Sequence, residues 1–360
     1  MSKLSLSVGP QHPGSGHMRI ILTLSGDYII EAIPDPGYVH RGEEKLAEYR
    51  NYIQNIPHLE RPVVLDATGA IFPYVLAVED LMNIIVPERA QFIRVIMAEL
   101  NRIISHLYYM AIYGIFMGHS TMFMWPVGDR EVFIDLANTI AGQRVTYAFL
   151  VPGGVRNDMP EKVKEQADKA CNYFEKRLIE YEHIFMNNPL FEKRTKGVGI
   201  LPKQDAIRLG VVGPTLRASG IKSDVRKDDT YSIYNQLDFE IPVSNACDSW
   251  SRAWIHMEEM RQSMSIIKQC LKRIPTGPVK LNLKQIKVPP GESYSRVEAA
   301  RGSLSYYLIS DGGKVPYRVR IMTPSFRNLI TIPYIMKGVM LADMPPTYWG
   351  IDYWPVEADR

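Results

Sequence analysis

The residues best suited to chemistry near the start of the chain are two histidines in a loop. His12 and His17 lie within the glycine- and proline-rich segment GPQHPGSGH, where a rigid scaffold could present them to a ligand. A metal site would need further ligands, and no third one follows at a recognisable spacing. From residue chemistry alone, two solvated histidines in a surface loop are the simpler interpretation.

A third histidine lies in the most apolar long stretch of the chain. Residues 87–117 carry apolar side chains at helical spacing and on the remaining faces, which predicts one long helix enclosed in a bundle. His106 is the titratable ring on a face otherwise filled by Ile103, Leu107 and Met110. Composition alone therefore favours a core histidine, satisfied by one hydrogen bond, over a functional one.

Charged residues form two further groups. Asp158, Glu161 and Glu165 lie near a predicted helix start, which favours capping and solvation over acid–base catalysis. A second group is dense and mixed in sign, a pattern typical of a salt-bridged interface. It consists of Arg217, Lys222, Asp224, Arg226, Lys227, Asp228 and Asp229.

Composition limits the class of protein. The 360 residues are 46% hydrophobic and 22% charged, as in ordinary globular proteins, and 42 basic against 39 acidic groups give a net charge of +3. That balance does not favour nucleic acid as a partner. The three cysteines, Cys171, Cys247 and Cys270, are too far apart for a disulfide framework and indicate a reducing compartment. We expect neither a signal peptide nor a membrane span, since the best candidate, residues 103–117, is short.

The elements that must position these residues are predicted from periodicity. Hairpins are predicted from residues 18–24 and 28–33, and from residues 304–309 and 317–322, each pair around a glycine-containing turn. Between them, helices are predicted over residues 37–54, 74–86, 87–117, 129–151, 161–186 and 247–271. A loop is predicted at residues 55–61, a short strand at 237–243 and a proline-rich connector at 275–291.

These elements predict an α+β fold with a central helix bundle and β-hairpins towards both ends of the chain. The expected divisions are residues 1–36, 37–275 and 276–360, packed as one compact domain. Glycines between residues 194 and 223 are too loosely spaced for a phosphate loop and follow no strand, so a dinucleotide fold receives little support.

Extended motifs add a family resemblance. The segments GPQHP from Gly9, GYVHRGEEKLAEYRNYIQNIP from Gly37, LRASGIKSDVRKDDTYSIY from Leu216 and ARGSLSYYLISDGGKVPYRVRIMTPSF from Ala300 occur in one order. In that order they resemble the large peripheral-arm subunit (49 kDa, D-type) of respiratory complex I, in an archaeal or bacterial complex I-like enzyme. The resemblance implies the fold of the nickel–iron hydrogenase large subunit and a pocket in which a lipid quinone is reduced.

A hydrogenase is the rival class, because that family shares its ancestry with hydrogenases. Hydrogenases hold nickel and iron with two pairs of cysteine thiolates, one near each end of the chain. Here Arg61 is followed by Pro-Val-Val-Leu, and the tail reads GIDYWPVEADR, so both pairs are missing. The resemblance therefore implies a bound quinone substrate and no metal of the chain's own.

The resemblance also implies roles for individual residues. The loop with His12 and His17 would reach the quinone headgroup, with His17 as hydrogen-bond donor, although the loop is one residue shorter than the family's. Arg61 and His106 would lie beside the terminal iron–sulfur cluster of an adjacent subunit. Val64 and Phe116 fall where the family has the tyrosine and aspartate of the quinone site, and neither side chain can form a hydrogen bond.

The implied partners are the iron–sulfur subunit with the terminal cluster, other peripheral-arm subunits and membrane-arm subunits, on the cytoplasmic side of a cell membrane, with no nucleic acid. The implied reaction is NAD(P)H:quinone oxidoreduction coupled to proton translocation. The electron donor stays open between NADH, reduced deazaflavin and reduced ferredoxin. The alternative is a docking subunit of a related complex whose quinone site is degenerate or altered, which Val64 and Phe116 favour.

Overall fold

A computed structural model describes residues 3–12, 16–283 and 285–360. Its first sheet is antiparallel, with strands β1 (Lys3–Val8), β2 (Arg19–Ser25) and β3 (Tyr28–Asp35) in that order. The hairpin predicted from residues 18–33 is confirmed as β2 and β3. Strand β1 was not predicted, because its apolar face is half exposed and the pattern KLSLSV is weak.

The middle of the chain is helical. In chain order the helices are α1 (Glu43–Ala47), α2 (Asn55–Glu60), α3 (Ala67–Leu81), α4 (Glu88–Phe116), α5 (Ser120–Ala141), α6 (Lys162–Tyr181), α7 (Pro189–Thr195), α8 (Lys203–Arg208), α9 (Gly213–Ala218), α10 (Val225–Asp228), α11 (Ser249–Arg273), α12 (Pro324–Asn328), α13 (Ile332–Ile335), α14 (Met344–Trp349) and α15 (Pro355–Asp359). Short 3₁₀ helices cover Arg61–Asp66, Tyr234–Gln236, Leu329–Thr331 and Leu341–Asp343, and a π-helix covers Glu182–Met186. The predicted α+β class and central bundle are confirmed.

The remaining strands form two small antiparallel sheets. Strands β4 (Leu150–Val151) and β5 (Gly154–Val155) pair with each other, and β6 (Gly291–Ala299), β7 (Gly302–Ser310) and β8 (Arg318–Met322) form the third sheet. The predicted hairpin at residues 304–322 is confirmed as β7 and β8. The third sheet packs on α3, so these strands are held against the bundle.

Helix α4 is the centre of the bundle, as predicted. It packs against α5 on one side and α11 on another, and side chains all round it are buried. The predictions for α6 and α11 are also confirmed within a few residues. The helical run Asn55–Leu81 is long and apolar enough to cross a membrane, which the sequence did not suggest, but 89% of its most apolar window is buried, as in a core helix.

The helix predicted over residues 37–54 is wrong for most of its length. Only α1 is helical there, and α2 occupies the segment predicted as a loop. Gly42 starts α1 in the left-handed conformation, with φ 65°. The side chain of Asn51 accepts hydrogen bonds from the amides of Ile53 and Gln54. This local turn separates α1 from α2 and competes with a continuous helix.

Three other boundaries differ from the prediction. Helix α3 begins seven residues before the predicted 74–86, because Pro73 lies inside it rather than at its start. Helix α5 ends at a left-handed Gly142, well before residue 151. The strand predicted at residues 237–243 is wrong: the structure describes this segment in full as irregular. The amides of Asp238 and Glu240 donate to side chains of α11 instead of to a neighbouring strand.

Candidate functional site

Several distant parts of the chain meet around the C-terminal tail. The β1–β2 loop lies against it, since a Cβ at Gly16 would be 3.1 Å from Pro355 Cγ. The indole of Trp354 donates to the carbonyl oxygen of Pro62, at 3.1 Å, and so joins the tail to the 3₁₀ helix Arg61–Asp66. The tail thus connects the loop that carries the two N-terminal histidines with the segment that carries Arg61.

Aromatic rings line this junction. Tyr108 of α4 meets Trp354 edge to face, with centroids 6.1 Å apart, and Phe116 meets Trp349 in the same way at 5.5 Å. We call Tyr108, Phe116, Trp349 and Trp354 the aromatic wall. Edge-to-face ring pairs of this kind pack stably, and Tyr108, Phe116 and Trp354 are only half-buried, so part of the aromatic wall is accessible. The sequence signal for it is the aromatic tail, TYWGIDYW, to which periodicity assigned no role.

Five of the six predicted site residues are accessible to solvent in some degree. His12, His17 and Arg61 are exposed, Val64 is 40% exposed on the 3₁₀ helix, and Phe116 is half-buried in the aromatic wall. Residues 13–15, between the two histidines, lie outside the described residues. The β1–β2 loop, the 3₁₀ helix that carries Val64 and the ring of Phe116 all contact the C-terminal tail.

His106 is different, because its ring is completely buried in the interior. Its Nε2 lies 2.9 Å from Oε2 of Glu259 on α11. Burial lowers the pKa of His106 to about 4, against the opposing effect of the hydrogen bond to Glu259. A ring with no exposed surface makes no direct contact with a cluster in another subunit. Any interaction of His106 with a partner's cluster would act through intervening side chains, and its place near that cluster stays a prediction.

The mixed-charge loop is not the surface interface that the sequence suggested. Arg217, Asp224 and Arg226 are buried, whereas the other four charged residues of that group are exposed. Arg217 pairs with Glu259 at 2.5 Å and with Glu298 of β6 at 2.8 Å. The interface prediction is wrong for the three buried residues, because each is paired inside the bundle: the two arginines with carboxylates of distant elements, and Asp224 with Arg226.

A second arginine cluster continues this network around α4. Arg226 pairs with Asp224 at 2.7 Å and with Glu99 at 3.1 Å, and Glu99 also accepts a hydrogen bond from Arg102. Burial alone would raise the pKa of Glu99, but Arg102 and Arg226 hold it below its usual range. Burial likewise opposes ionisation of Glu259, but Arg217 and His106 overcome it and hold the pKa of Glu259 well below its usual value. Both carboxylates are thus ionised in the interior.

Glu60, next to Arg61, fixes a strained loop at the edge of the site. Its carboxylate accepts hydrogen bonds from the amides of Tyr147, at 3.0 Å, and Ala148, at 2.7 Å. Thr146 and Ala148 both adopt positive φ, 50° and 43°, which is unfavourable for residues with a Cβ. Burial raises the pKa of Glu60 from 4.5 to about 7 despite these two hydrogen bonds.

Glu60→Gln should change how the stability of the protein depends on pH. The native carboxyl has a raised pKa, so its ionisation favours the unfolded chain, and stability falls as pH rises from 4.5 to about 7. This pKa shift corresponds to a loss of at most about 3 kcal/mol in the free energy of unfolding over that pH range. The glutamine variant should not show this loss. Denaturant unfolding at about pH 5 and about pH 8 measures this difference. Glu240→Gln, at an exposed position, is the control, and equal pH slopes for both variants would contradict the prediction.

Comparison with known proteins gives consistent matches. The family model described as "Respiratory-chain NADH dehydrogenase, 49 Kd subunit" matches residues 117–287 and 279–360. An NADH-quinone oxidoreductase subunit of Carboxydothermus hydrogenoformans is 43% identical over 352 residues, covering 97% of this chain and 96% of the relative. A subunit of the F(420)H(2) dehydrogenase of Methanosarcina mazei is 39% identical over 367 residues, covering 100% and 98%.

The chain also resembles a solved structure over nearly its full length. That structure belongs to the membrane-bound sulfane sulfur reductase, described as an archaeal respiratory membrane complex. The chain superposes on it with a TM-score of 0.95 at 37% sequence identity, covering 99% of this chain and 98% of the other.

Proposed function

This chain belongs to the family of the 49 kDa subunit of respiratory-chain NADH dehydrogenase, and we propose that it has a redox role where the β1–β2 loop and the Arg61 segment meet the C-terminal tail. The chain is an oxidoreductase subunit that acts within a complex. In our proposal a quinone headgroup binds beside the aromatic wall, and electrons arrive from an iron–sulfur cluster in an adjacent subunit. One observation supports this above all: the β1–β2 loop, the segment of Arg61 and Val64, and the aromatic wall meet around one tail.

The chemistry of these groups suits a quinone. The aromatic wall would hold the planar ring, and His17 would donate a hydrogen bond to one carbonyl oxygen as electrons arrive. Arg61 is a permanent cation on the surface, where it would favour a reduced cluster in a partner subunit. Val64 and Phe116 contribute shape but no protons, so the two protons of quinone reduction must come from other groups or from water.

The remaining parts of the proposal concern the assembly. We infer partners of three kinds: the subunit with the terminal iron–sulfur cluster, other peripheral subunits, and membrane subunits through which proton translocation is coupled. The chain would then lie on the cytoplasmic face of a cell membrane. The relatives' names differ in the electron donor, NADH in one and F(420)H(2) in another, which supports a donor module that is exchangeable around a common core.

A second candidate is a docking subunit whose pocket takes an altered acceptor, or none. Val64 and Phe116, which cannot form side-chain hydrogen bonds, favour it. So does the solved relative, because it works in a complex named for sulfane sulfur reduction and not for a quinone. On this alternative the fold and the partners are kept while the acceptor differs.

His17→Ala in the intact complex separates these candidates. The complex is purified from membranes through a tag on this chain and tested with several quinones and electron donors. If His17 assists proton and charge transfer to the quinone, its loss should lower quinone reductase activity by on the order of 100-fold without loss of partner subunits. His183→Ala, at an exposed position on the π-helix, is the matched control. A native complex that contains its iron–sulfur partners but reduces no quinone would favour the docking subunit.

A further inference from the structure

An arginine without a carboxylate partner lies on the aromatic wall. Arg130 projects from α5, and its guanidinium lies over the ring of Tyr108, with Cζ 5.7 Å from the ring centroid. The side chain is half-buried, and its Nε is buried without a hydrogen-bond partner among the described residues. No carboxylate in the described part of the chain makes an ion pair with it. A cation with no counter-charge at contact distance thus lies against an accessible aromatic surface.

The carboxylates next to Arg130 in sequence are engaged elsewhere. Asp129 pairs with Nε of Arg177 on α6, at 2.8 Å, and Glu131 pairs with Arg144, which follows α5. Successive side chains of a helix point about 100° apart, so neighbours in sequence face different surroundings. Helix α5 therefore directs two carboxylates to partners of their own and leaves Arg130 on the wall without one.

Buried arginines elsewhere in the protein are neutralised at short range. Arg94, Arg217 and Arg226 pair with carboxylates at 2.6, 2.5 and 2.7 Å. At Arg130, burial lowers the pKa from its ordinary value, although a guanidinium stays protonated at neutral pH. A negatively charged group that binds beside Arg130 would relieve the cost of burying this cation, which the chain itself does not offset.

Arg130 also lies at the junction to which we assign the acceptor. Tyr108 meets Trp354 edge to face, at 6.1 Å, and a second guanidinium, that of Arg301, lies over Trp354 at 5.7 Å. Arg301 is paired with Asp352, at 3.5 Å between Nε and Oδ1. Of the two cations on this ring pair, Arg130 is therefore the one available to an anion.

We propose that Arg130 binds negative charge on the acceptor: the charge that a quinone ring gains with its first electron, and any anionic substituent that the ring already carries. The inference rests on the proposed function, since it needs an acceptor beside the aromatic wall. The first electron comes from the partner's iron–sulfur cluster and adds without breaking a bond, which leaves one negative charge on the ring. Arg130 keeps its proton and stabilises this charge until the second electron and two protons complete the quinol.

The other predicted site residues leave this task open. Neither Val64 nor Phe116 can donate a hydrogen bond to a charged ring. A fixed cation can stabilise that ring without giving up a proton, and its attraction is stronger where aromatic side chains exclude water. A guanidinium also suits a planar partner, because it is flat, weakly hydrated and packs well against aromatic rings.

Two acceptors that differ by one charge test the proposal on the intact complex. Naphthoquinone and its sulfonate share one ring system. With the uncharged quinone, Arg130→Gln should lower kcat by about 10- to 100-fold and leave KM nearly unchanged, because the charge appears only after the electron arrives. With the sulfonate, the variant should also raise KM by about 10-fold, since that charge is present on binding. Arg130→Lys keeps a positive charge and should restore most of both losses.

Arg208→Gln is the matched control. Arg208 also lies over a tyrosine ring, that of Tyr334 at 5.3 Å, but it pairs with Asp205 at 2.9 Å. Its loss should change neither kcat nor KM with either acceptor. If Arg130→Gln fails to assemble, Arg130→Met takes its place with the same expected losses, because the methionine keeps an apolar stem against Tyr108.

The possible outcomes separate this inference from the proposed function. Unchanged kcat and KM in Arg130→Gln, in a complex that reduces both quinones, would overturn the role of Arg130 alone. If the native complex reduces neither quinone, equilibrium binding of naphthalene sulfonate decides. An affinity about 10-fold weaker in Arg130→Gln would then support the charge-binding role and overturn quinone reduction, whereas equal affinities would overturn both.

Two further results would overturn the role of Arg130. Losses that Arg130→Lys does not relieve would mean that the shape of the side chain matters and its charge does not. Loss of partner subunits from both Arg130→Gln and Arg130→Met, with Arg208→Gln intact, would mean that Arg130 serves assembly and not the acceptor.

Discussion

Gly213→Ala should destabilise this chain severely. A Cβ at Gly213 would lie 2.2 Å from the carbonyl oxygen of Arg301 and 2.6 Å from the Cα of Gly302. Both are backbone atoms, so no side chain can rotate away, and α9 or the β6–β7 turn must move. We expect the free energy of unfolding to fall by about 3 kcal/mol or more, measured by denaturant unfolding.

Gly210→Ala provides the matched control for this prediction. Gly213 and Gly210 have nearly the same positive φ, 70° and 67°, so both variants incur the same backbone strain. At Gly210 no heavy atom of the described residues lies within 4 Å of the new Cβ, so only the strain of about 1 kcal/mol is expected. Equal losses in the two variants would show that the contact between α9 and the turn is not what makes Gly213 necessary.

The effect of Gly213→Ala should extend to the site. The β6–β7 turn, which brings Gly302 against Gly213, also contains Arg301. The guanidinium of Arg301 lies over the ring of Trp354, 5.7 Å from its centroid, and beside Asp352. Helix α9 in turn carries Arg217 into the buried charge network. A shift of α9 or of the β6–β7 turn would therefore disturb the aromatic wall and the buried ion pairs together.

The parts of the fold that could be predicted are those whose pattern is local. Helix α4 was predicted from residues 87–117 because its apolar spacing runs without interruption, and the β2–β3 and β7–β8 hairpins because each has a clear turn. The helix predicted over residues 37–54 is wrong outside α1 because the side chain of Asn51 fixes a local turn through the amides of Ile53 and Gln54. Helical spacing does not reveal this competing set of hydrogen bonds.

The candidate site shows the same division. His17, Arg61, Val64 and Phe116 came from resemblance to a family, and no pattern in the chain itself assigned them a role. The aromatic wall was missed because Trp349 and Trp354 are far in sequence from Tyr108 and Phe116. Only the packing of the tail against α4 brings these rings together.

The buried charge network yields the second prediction of large effect. Arg217→Leu would leave Glu259 and Glu298 without their shared cation, although all three side chains are at most 2% exposed. Breaking a buried ion pair on one side costs about 3–5 kcal/mol, because the remaining charge stays desolvated. We therefore expect a loss of this size in denaturant unfolding near neutral pH.

Two features distinguish this loss from a simple packing defect. Arg208→Leu removes an arginine that is 59% exposed and pairs with Asp205 at 2.9 Å, and it should cost no more than about 0.5 kcal/mol. The Arg217→Leu deficit should also shrink as pH falls, since without the guanidinium the pKa of Glu259 rises and protonation can remove the buried charge. A deficit that does not change with pH would mean that volume, and not charge, is what Arg217 supplies. Because Glu259 also holds the hydrogen on His106 Nε2, the same protonation would remove the acceptor of that hydrogen bond.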